Sequence, residues 1–490
     1  MNEHPQDNSK RNMRVGQRAL SGVVALGIRE GLMRIVAFGG DIILFRLIAP
    51  DVFGLILPIT FIAGIIKHFS DLGLAASLVQ SQKEPDEQDL RTVFTIQLLL
   101  ASIAGTIVFF VGPLLIQSLD EGKPDHWMIR VFGISVFFSA FRVIPASMLE
   151  RHLQFSRLAI GDIAGTIWFY AAGIFLALSG AGPWALITAH VGASLIPIAV
   201  LNTLKPWVPA LEIHRQRIWP NLDFGAKFQA QRLLLMLKDS LIPILGPAAF
   251  GRTSTGLLSW ADKLAQQPLL FTQLVARVSL PTFSRLQSDR AAVLLGTHLA
   301  LKWTSLVTFP VFIVIFVFAS DITRVIYGPQ WIDGVSVLYW LAANAVLVPV
   351  NGLLLPIMNA VGRSGLMTCF AAIWSISSWA IAFLLIALGH GFASVAMALA
   401  LSQAIATISI VFVAWKTIGI DVVKAVGNPA ITAVVVGVVA RFIVDPMNVN
   451  IYVLVIGSVG CLFAYCAILY ATDGKEIRSE LGQVAGLRNN

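Results

Sequence analysis

The chain reads as an all-α polytopic membrane protein with about 14 transmembrane helices, arranged as two pseudo-symmetric six-helix lobes plus two C-terminal helices. Three observations predict this. Of its 490 residues 57% are hydrophobic and only 13% charged, a balance too apolar for a soluble globular protein. Apolar segments of roughly 17 to 25 residues, the length that crosses a bilayer, recur along the whole chain. A pattern of charges and turn residues near the N-terminus returns near the middle, which reads as an internal duplication.

The spans fall near 21–47, 53–78, 92–118, 127–149, 158–179 and 183–204 in the first half, and near 223–247, 254–280, 293–319, 335–360, 366–388 and 392–414 in the second. A final pair follows near 430–444 and 451–471. The organisation is then an N-terminal tail (1–20), an N-lobe (21–210), a C-lobe (211–420), two further helices (421–471) and a polar tail (472–490). The lobe boundary is placed in the proline-bearing polar stretch Lys205 to Asn221. Residues 80–91 read as a solvated loop.

The first span carries Arg29, Glu30, Arg34, Asp41 and Arg46 before the turn Ala49-Pro50-Asp51-Val52-Phe53-Gly54. Glu30, Arg34 and Asp41 share one helical face. Each charge at a bilayer centre costs roughly 2.5 to 3.5 kcal/mol on insertion scales, so the face is expected to line a bundle interior or a wet cavity. In the second copy Arg232, Asp239, Pro247 and Phe250-Gly251 match Arg34, Asp41, Pro50 and Phe53-Gly54 at separations of 198 or 197 positions.

Loop charges set an orientation. With the N-terminus inside, nineteen Lys and Arg fall in inside segments, against only Lys123, Arg252 and Arg324 outside. This asymmetry puts both termini in the cytoplasm. No apolar core followed by a cleavage site marks the first twenty residues, so a removed signal peptide is not expected. Cys369, Cys461 and Cys466 all sit in apolar stretches and read as core-packing thiols, not a disulfide framework.

Thirteen Lys and Arg but only seven acids lie inside the spans, so the bundle interior is net cationic. Such an interior suits an anionic ligand, and guanidinium groups match phosphate oxygens bidentately. Arg29, Arg34, Arg142, Arg232 and Lys302 lie too deep for easy snorkelling and are the candidate substrate-binding cations, for which a lipid-linked pyrophosphate is a fitting ligand. Asp41, Asp71, Asp162, Asp239 and Asp262 are candidates for coupling to H+ or Na+. The plainer alternative is that acids only neutralise neighbouring cations, Glu30 with Arg34, Lys67 with Asp71, and Lys238 or Arg232 with Asp239.

His68, His152 and His190 lack metal-ligand spacing, no Walker-type loop is present, and no nucleic-acid motif is visible, so neither cofactor, metal nor nucleic acid is expected. The outer loops near 48–52, 180–182, 248–253, 389–391 and 445–450 are too short to fold a catalytic domain. Those near 119–126 and 320–334 hold only isolated acids, so no enzyme is expected.

Several stretches carry a family likeness: Arg46-Leu47 before Ala49 to Leu55, Phe69-Ser70-Asp71-Leu72-Gly73-Leu74 and onward to Gln80, Leu280-Pro281-Thr282-Phe283-Ser284-Arg285-Leu286-Gln287, and Tyr327-Gly328-Pro329-Gln330-Trp331. In these the chain resembles the Wzx-type polysaccharide flippases of the multidrug/oligosaccharidyl-lipid/polysaccharide exporter superfamily. The resemblance implies two lobes working by alternating access in a bacterial inner membrane. It also implies an undecaprenyl-pyrophosphate-linked oligosaccharide as cargo for surface polysaccharide biosynthesis, coupling to an ion gradient, and contact with polymerase or export machinery. Two other readings stand beside it: an ion-coupled small-molecule exporter of the same superfamily, and a membrane glycan polymerase or ligase, which would need a large outer loop.

Overall fold

In the computed structural model the described residues are 33–70, 84–119, 125–152, 154–214, 233–286, 289–444 and 450–486, with Gly31 and Leu78 singly. They form helices joined by short turns. Two compact units emerge, Met1–Arg232 with Gly251–Thr255 and Leu233–Phe250 with Gly256–Asn490.

In the first unit, α1 covers 33–47 and stops before Pro50, whose missing amide hydrogen suits the first turn of α2 (Pro50–Ser70). Asp51 sits in that first turn, and the Phe53 ring packs 4.4 Å from the Phe45 ring. The Pro-Asp-Val-Phe-Gly motif therefore shapes a helix–helix corner. Next come α3 (Glu87–Phe110), the short α4 (Gly112–Leu119), α5 (His126–Phe138), α6 (Ala140–Arg151), α7 (Phe155–Leu178) and α8 (Pro183–Leu204).

α3 begins earlier than its apolar run predicts. Asp86 accepts from the Asp89 amide at 2.8 Å and Asp89 accepts from the Asp86 amide at 3.1 Å, a reciprocal capping box. Acids expected to be merely solvated thus start the helix. The span expected at 127–149 is two helices bent by 44° where α5 meets α6 at Ser139. α3 and α5 approach until a Cβ on Gly105 would lie 2.7 Å from the Gly133 carbonyl oxygen, and one on Gly133 2.8 Å from that of Gly105. Backbone-to-backbone contact of this kind replaces the hydrophobic drive that helices lack in lipid.

In the second unit, α9 (Leu233–Asp239) gives way at Ser240 to a π-turn over Leu241–Leu245, then to α10 (Gly246–Ala265) and α11 (Leu270–Leu286). The bend is 46°. The outer loop expected at 248–253 reduces to one residue, Gly251, whose φ of 75° interrupts an otherwise helical run. α12 (Arg290–Ile322), α13 (Val335–Ala360), α14 (Ser364–Ala387), α15 (Ala393–Ile418), α16 (Val422–Val444) and α17 (Ile451–Gly486) complete the unit. α17 runs through most of the expected polar tail. Lys475, Glu476, Arg478, Glu480 and Leu481 are strong helix formers with no proline among them, so nothing stops the helix at 471.

The Gly-Pro-Gln-Trp motif is an aromatic lock. Gly328, at φ 110°, turns the chain from a π-turn (Thr323–Tyr327) into a 3-10 helix (Pro329–Gly334). This brings the fully buried Trp331 against Trp260 at 5.7 Å, with Tyr327 edge-on to Trp260 at 5.6 Å. Among the described residues, nine helices are long and apolar enough to cross a membrane, or eleven if each bent pair is one span. The cysteines also depart from expectation: Cys461 is buried, but Cys369 and Cys466 lie on outward helix faces.

Candidate functional site

Charges inside the first unit gather into two clusters. Gly40 lets the ring of Tyr170, from α7, lie directly on α1, where any Cβ would overlap it. The Tyr170 hydroxyl then donates to Asp41 Oδ1 at 3.0 Å, and Asp41 is only 6% exposed. Arg34 lies on the exposed side of α1, within electrostatic reach of Tyr170. A buried carboxylate thus keeps a phenolic donor and a nearby guanidinium, the partners that make such burial tolerable.

The second cluster joins one residue from each predicted group. Arg142 Nη2 meets Asp162 Oδ1 at 2.7 Å, tying α6 to α7. The candidate phosphate ligand and the candidate coupling acid are partners in the conformation seen. Thr166 further donates to the Asp162 carbonyl at 3.1 Å.

In the second unit, Lys238 Nζ sits 2.5 Å from Asp239 Oδ1 and 5.1 Å from the centre of the Trp374 ring. Asp262, one helix further on, accepts from Gln266 Nε2 at 2.6 Å and feels both Lys238 and Asp239 electrostatically. The break in α9 is held from α14, where Trp379 Nε1 donates to the Leu237 carbonyl at 2.8 Å and the Ser375 hydroxyl to that of Leu234. These donors occupy carbonyls beside the π-turn, as a broken membrane helix requires. Lys302 is only 2% exposed, within α12.

Arg29, Asp71 and Arg232 lie outside the described residues, as does most of the Phe69 to Gln80 motif. Of the expected neutralising pairs, Lys238 with Asp239 is present. The Glu30–Arg34 and Lys67–Asp71 pairs involve residues outside the described set or side chains not described. His190 packs against Phe169 at 4.8 Å, and among the described residues no group of three or more His, Cys, Asp or Glu could hold a metal. Tyr170, Gln266 and Trp374 escaped the sequence reading because a Tyr or Trp in an apolar run gives the same signal whether it packs or donates.

The helices define a multi-pass membrane protein, and its fold is shared with solved flippase and exporter structures. A solved lipid II flippase, MurJ in an inward closed conformation, covers 93% of this chain and all of its own at a TM-score of 0.74 and 17% identity. An inward-facing multidrug resistance MATE family transporter covers 81% of this chain and 98% of its own at 0.64 and 14%. Among curated relatives, the lipopolysaccharide biosynthesis protein WzxC of Escherichia coli (strain K12) is 24% identical over 70% of this chain and 67% of its own. The succinoglycan biosynthesis transport protein ExoT of Rhizobium meliloti (strain 1021) is 20% identical over 84% and 83%. Residues 43–336 match the family described as polysaccharide biosynthesis protein, and the chain belongs to that family.

Proposed function

We propose that the protein is a flippase that carries a lipid-linked oligosaccharide, built on undecaprenyl pyrophosphate, across the bacterial cytoplasmic membrane by alternating access. The observation that carries this reading is the family match over residues 43–336 together with a fold shared with a lipid II flippase along 93% of the chain. The surplus of intramembrane cations fits a pyrophosphate head group, with Arg29, Arg34, Arg142, Arg232 and Lys302 as its ligands in one or another state of the cycle. Lys302 would need an opening motion to take part. Asp41, which accepts from the Tyr170 hydroxyl, and Asp262, which accepts from the Gln266 amide, are the better-placed coupling acids of the five proposed, because Asp162 and Asp239 are already paired with Arg142 and Lys238. The excess of basic loops on one side supports cytoplasmic termini.

The test is a deletion strain. Surface polysaccharide should be lost and lipid-linked repeat units should accumulate on the cytoplasmic side, with wild type restoring export. Replacement of both Arg34 and Arg232 by Gln should fail to restore it. Normal polysaccharide in the deletion strain, with altered sensitivity to small toxic cations, would transfer the assignment to a drug-type exporter, the reading favoured by the fold shared with the MATE transporter. Contact with polymerase or export machinery belongs to the same proposal and is read by co-purification.

A further inference from the structure

After α8 ends at Leu204, residues 205–214 run outside any helix against the start of α3. Four contacts fasten them. Trp207 packs edge-on to Phe94 at 5.1 Å, Arg91 Nη1 meets Glu212 Oε1 at 2.5 Å, the Glu212 amide donates to Thr95 Oγ1 at 3.0 Å, and the His214 amide donates to Thr92 Oγ1 at 3.3 Å. Trp207, Ala210, Glu212 and His214 are half-buried against the protein, whereas Val208, Leu211 and Ile213 are 83%, 68% and 60% exposed. From Ala210 to His214 the two sets alternate, as a period of two requires. The strap thus turns an aliphatic row away from the protein, the reverse of a water-facing loop.

Its depth identifies what covers that aliphatic row. α3 has 24 residues and spans about 36 Å at 1.5 Å per residue, against a hydrocarbon core of about 30 Å. That leaves about 6 Å of helix to share between its two ends, so the first turns of α3 lie at the boundary between head groups and acyl chains. All four fastenings, at Arg91, Thr92, Phe94 and Thr95, fall near the start of α3, which begins at Glu87. A backbone without its own hydrogen-bond ladder cannot sit in the acyl region itself, because its amides would go unpaired. Pro206 and Pro209 carry no amide hydrogen, and threonine hydroxyls take two of the others. The remainder need the hydrated head-group zone.

We infer that residues 205–214 form a membrane-interface strap of the first unit, lying in the head-group zone with Val208, Leu211 and Ile213 turned into the lipid. The strap rests on the membrane reading of the chain and not on the cargo, so the depth measurement and the export experiment fail independently.

The test uses the full chain with Cys369, Cys461 and Cys466 replaced by Ala, reconstituted in phosphatidylethanolamine and phosphatidylglycerol vesicles. Nitroxides are placed one at a time at Val208→Cys, Leu211→Cys and Ile213→Cys, with the exposed Glu84→Cys as the aqueous reference. Relaxation by oxygen should exceed relaxation by a water-soluble nickel chelate at all three sites, and the order should reverse at Glu84. Nickel exceeding oxygen at Leu211 and Ile213 would make the strap an aqueous loop and overturn the inference. Immobile labels reached by neither reagent would mean that protein covers the row, which overturns it equally. None of the three side chains packs inside the protein, so each label gives an independent reading on a folded chain.

Discussion

Buried Asp41 accepts from the Tyr170 hydroxyl, which reaches it because residue 40 has no side chain. Tyr170→Phe should therefore destabilise the protein by about 1.5–3 kcal/mol, the usual value of a hydrogen bond to a charged group. The measurement is thermal unfolding in detergent followed by size exclusion, and an unchanged melting profile would contradict the contact. Arg142 and Asp162 allow a sharper separation of roles. If the pair is only structural, exchanging the two charges, Arg142→Asp with Asp162→Arg, restores both folding and export. If Arg142 also receives the pyrophosphate, the exchanged protein folds but export stays lost.

Glu212 gives the pH dependence. Its hydrogen bond from Arg91 holds the carboxyl below the usual carboxylate range. A depressed folded pKa contributes stability that is complete above the unfolded value of about 4.3 and is lost as pH falls through the folded value. Amides of 207–214 should thus keep their hydrogen-exchange protection from neutral pH down to about pH 5 and lose it on further acidification. In Arg91→Gln the protection should be weaker and nearly flat across that range.

At the level of elements, close approach and aromatic locking hold helices together. Gly133 touches the backbone of α3, so Gly133→Leu should force α5 away from α3 and lower the yield of folded protein, read as monodisperse material after extraction. Trp331 fills the space beside Trp260 behind the turn at Gly328, and Trp331→Ala should cost about 3–5 kcal/mol, seen as a lower unfolding temperature. Positions of the helices were legible as apolar runs, and so were the turns at Gly180 and Gly182 and at Gly389 and Gly391, all four of which take positive φ. Helix starts and stops were less so. The start of α3 depends on which acid caps it, and the bend between α5 and α6 lies inside an unbroken apolar run.

Across the whole molecule, two units of similar size each open on a charged helix, but the two charged helices differ in detail. Asp41 in the first is buried beneath a tyrosine from α7, whereas Asp239 in the second is paired with the adjacent lysine at a break in its helix. The charge pattern that repeats in the sequence thus does not carry the same contacts in both units. Hydropathy and loop charge, both sums over local composition, were enough to specify a helical membrane protein, its cation surplus and its expected orientation, because lipid admits only backbone that satisfies itself within the segment. Which cation meets which acid, which tyrosine donates, and that residues 205–214 lie along α3 are pairings between positions from one to more than a hundred residues apart, chosen by side-chain rotamers and the close approach of glycine-bearing helices. No local pattern encodes such a choice, so only the folded chain decides it.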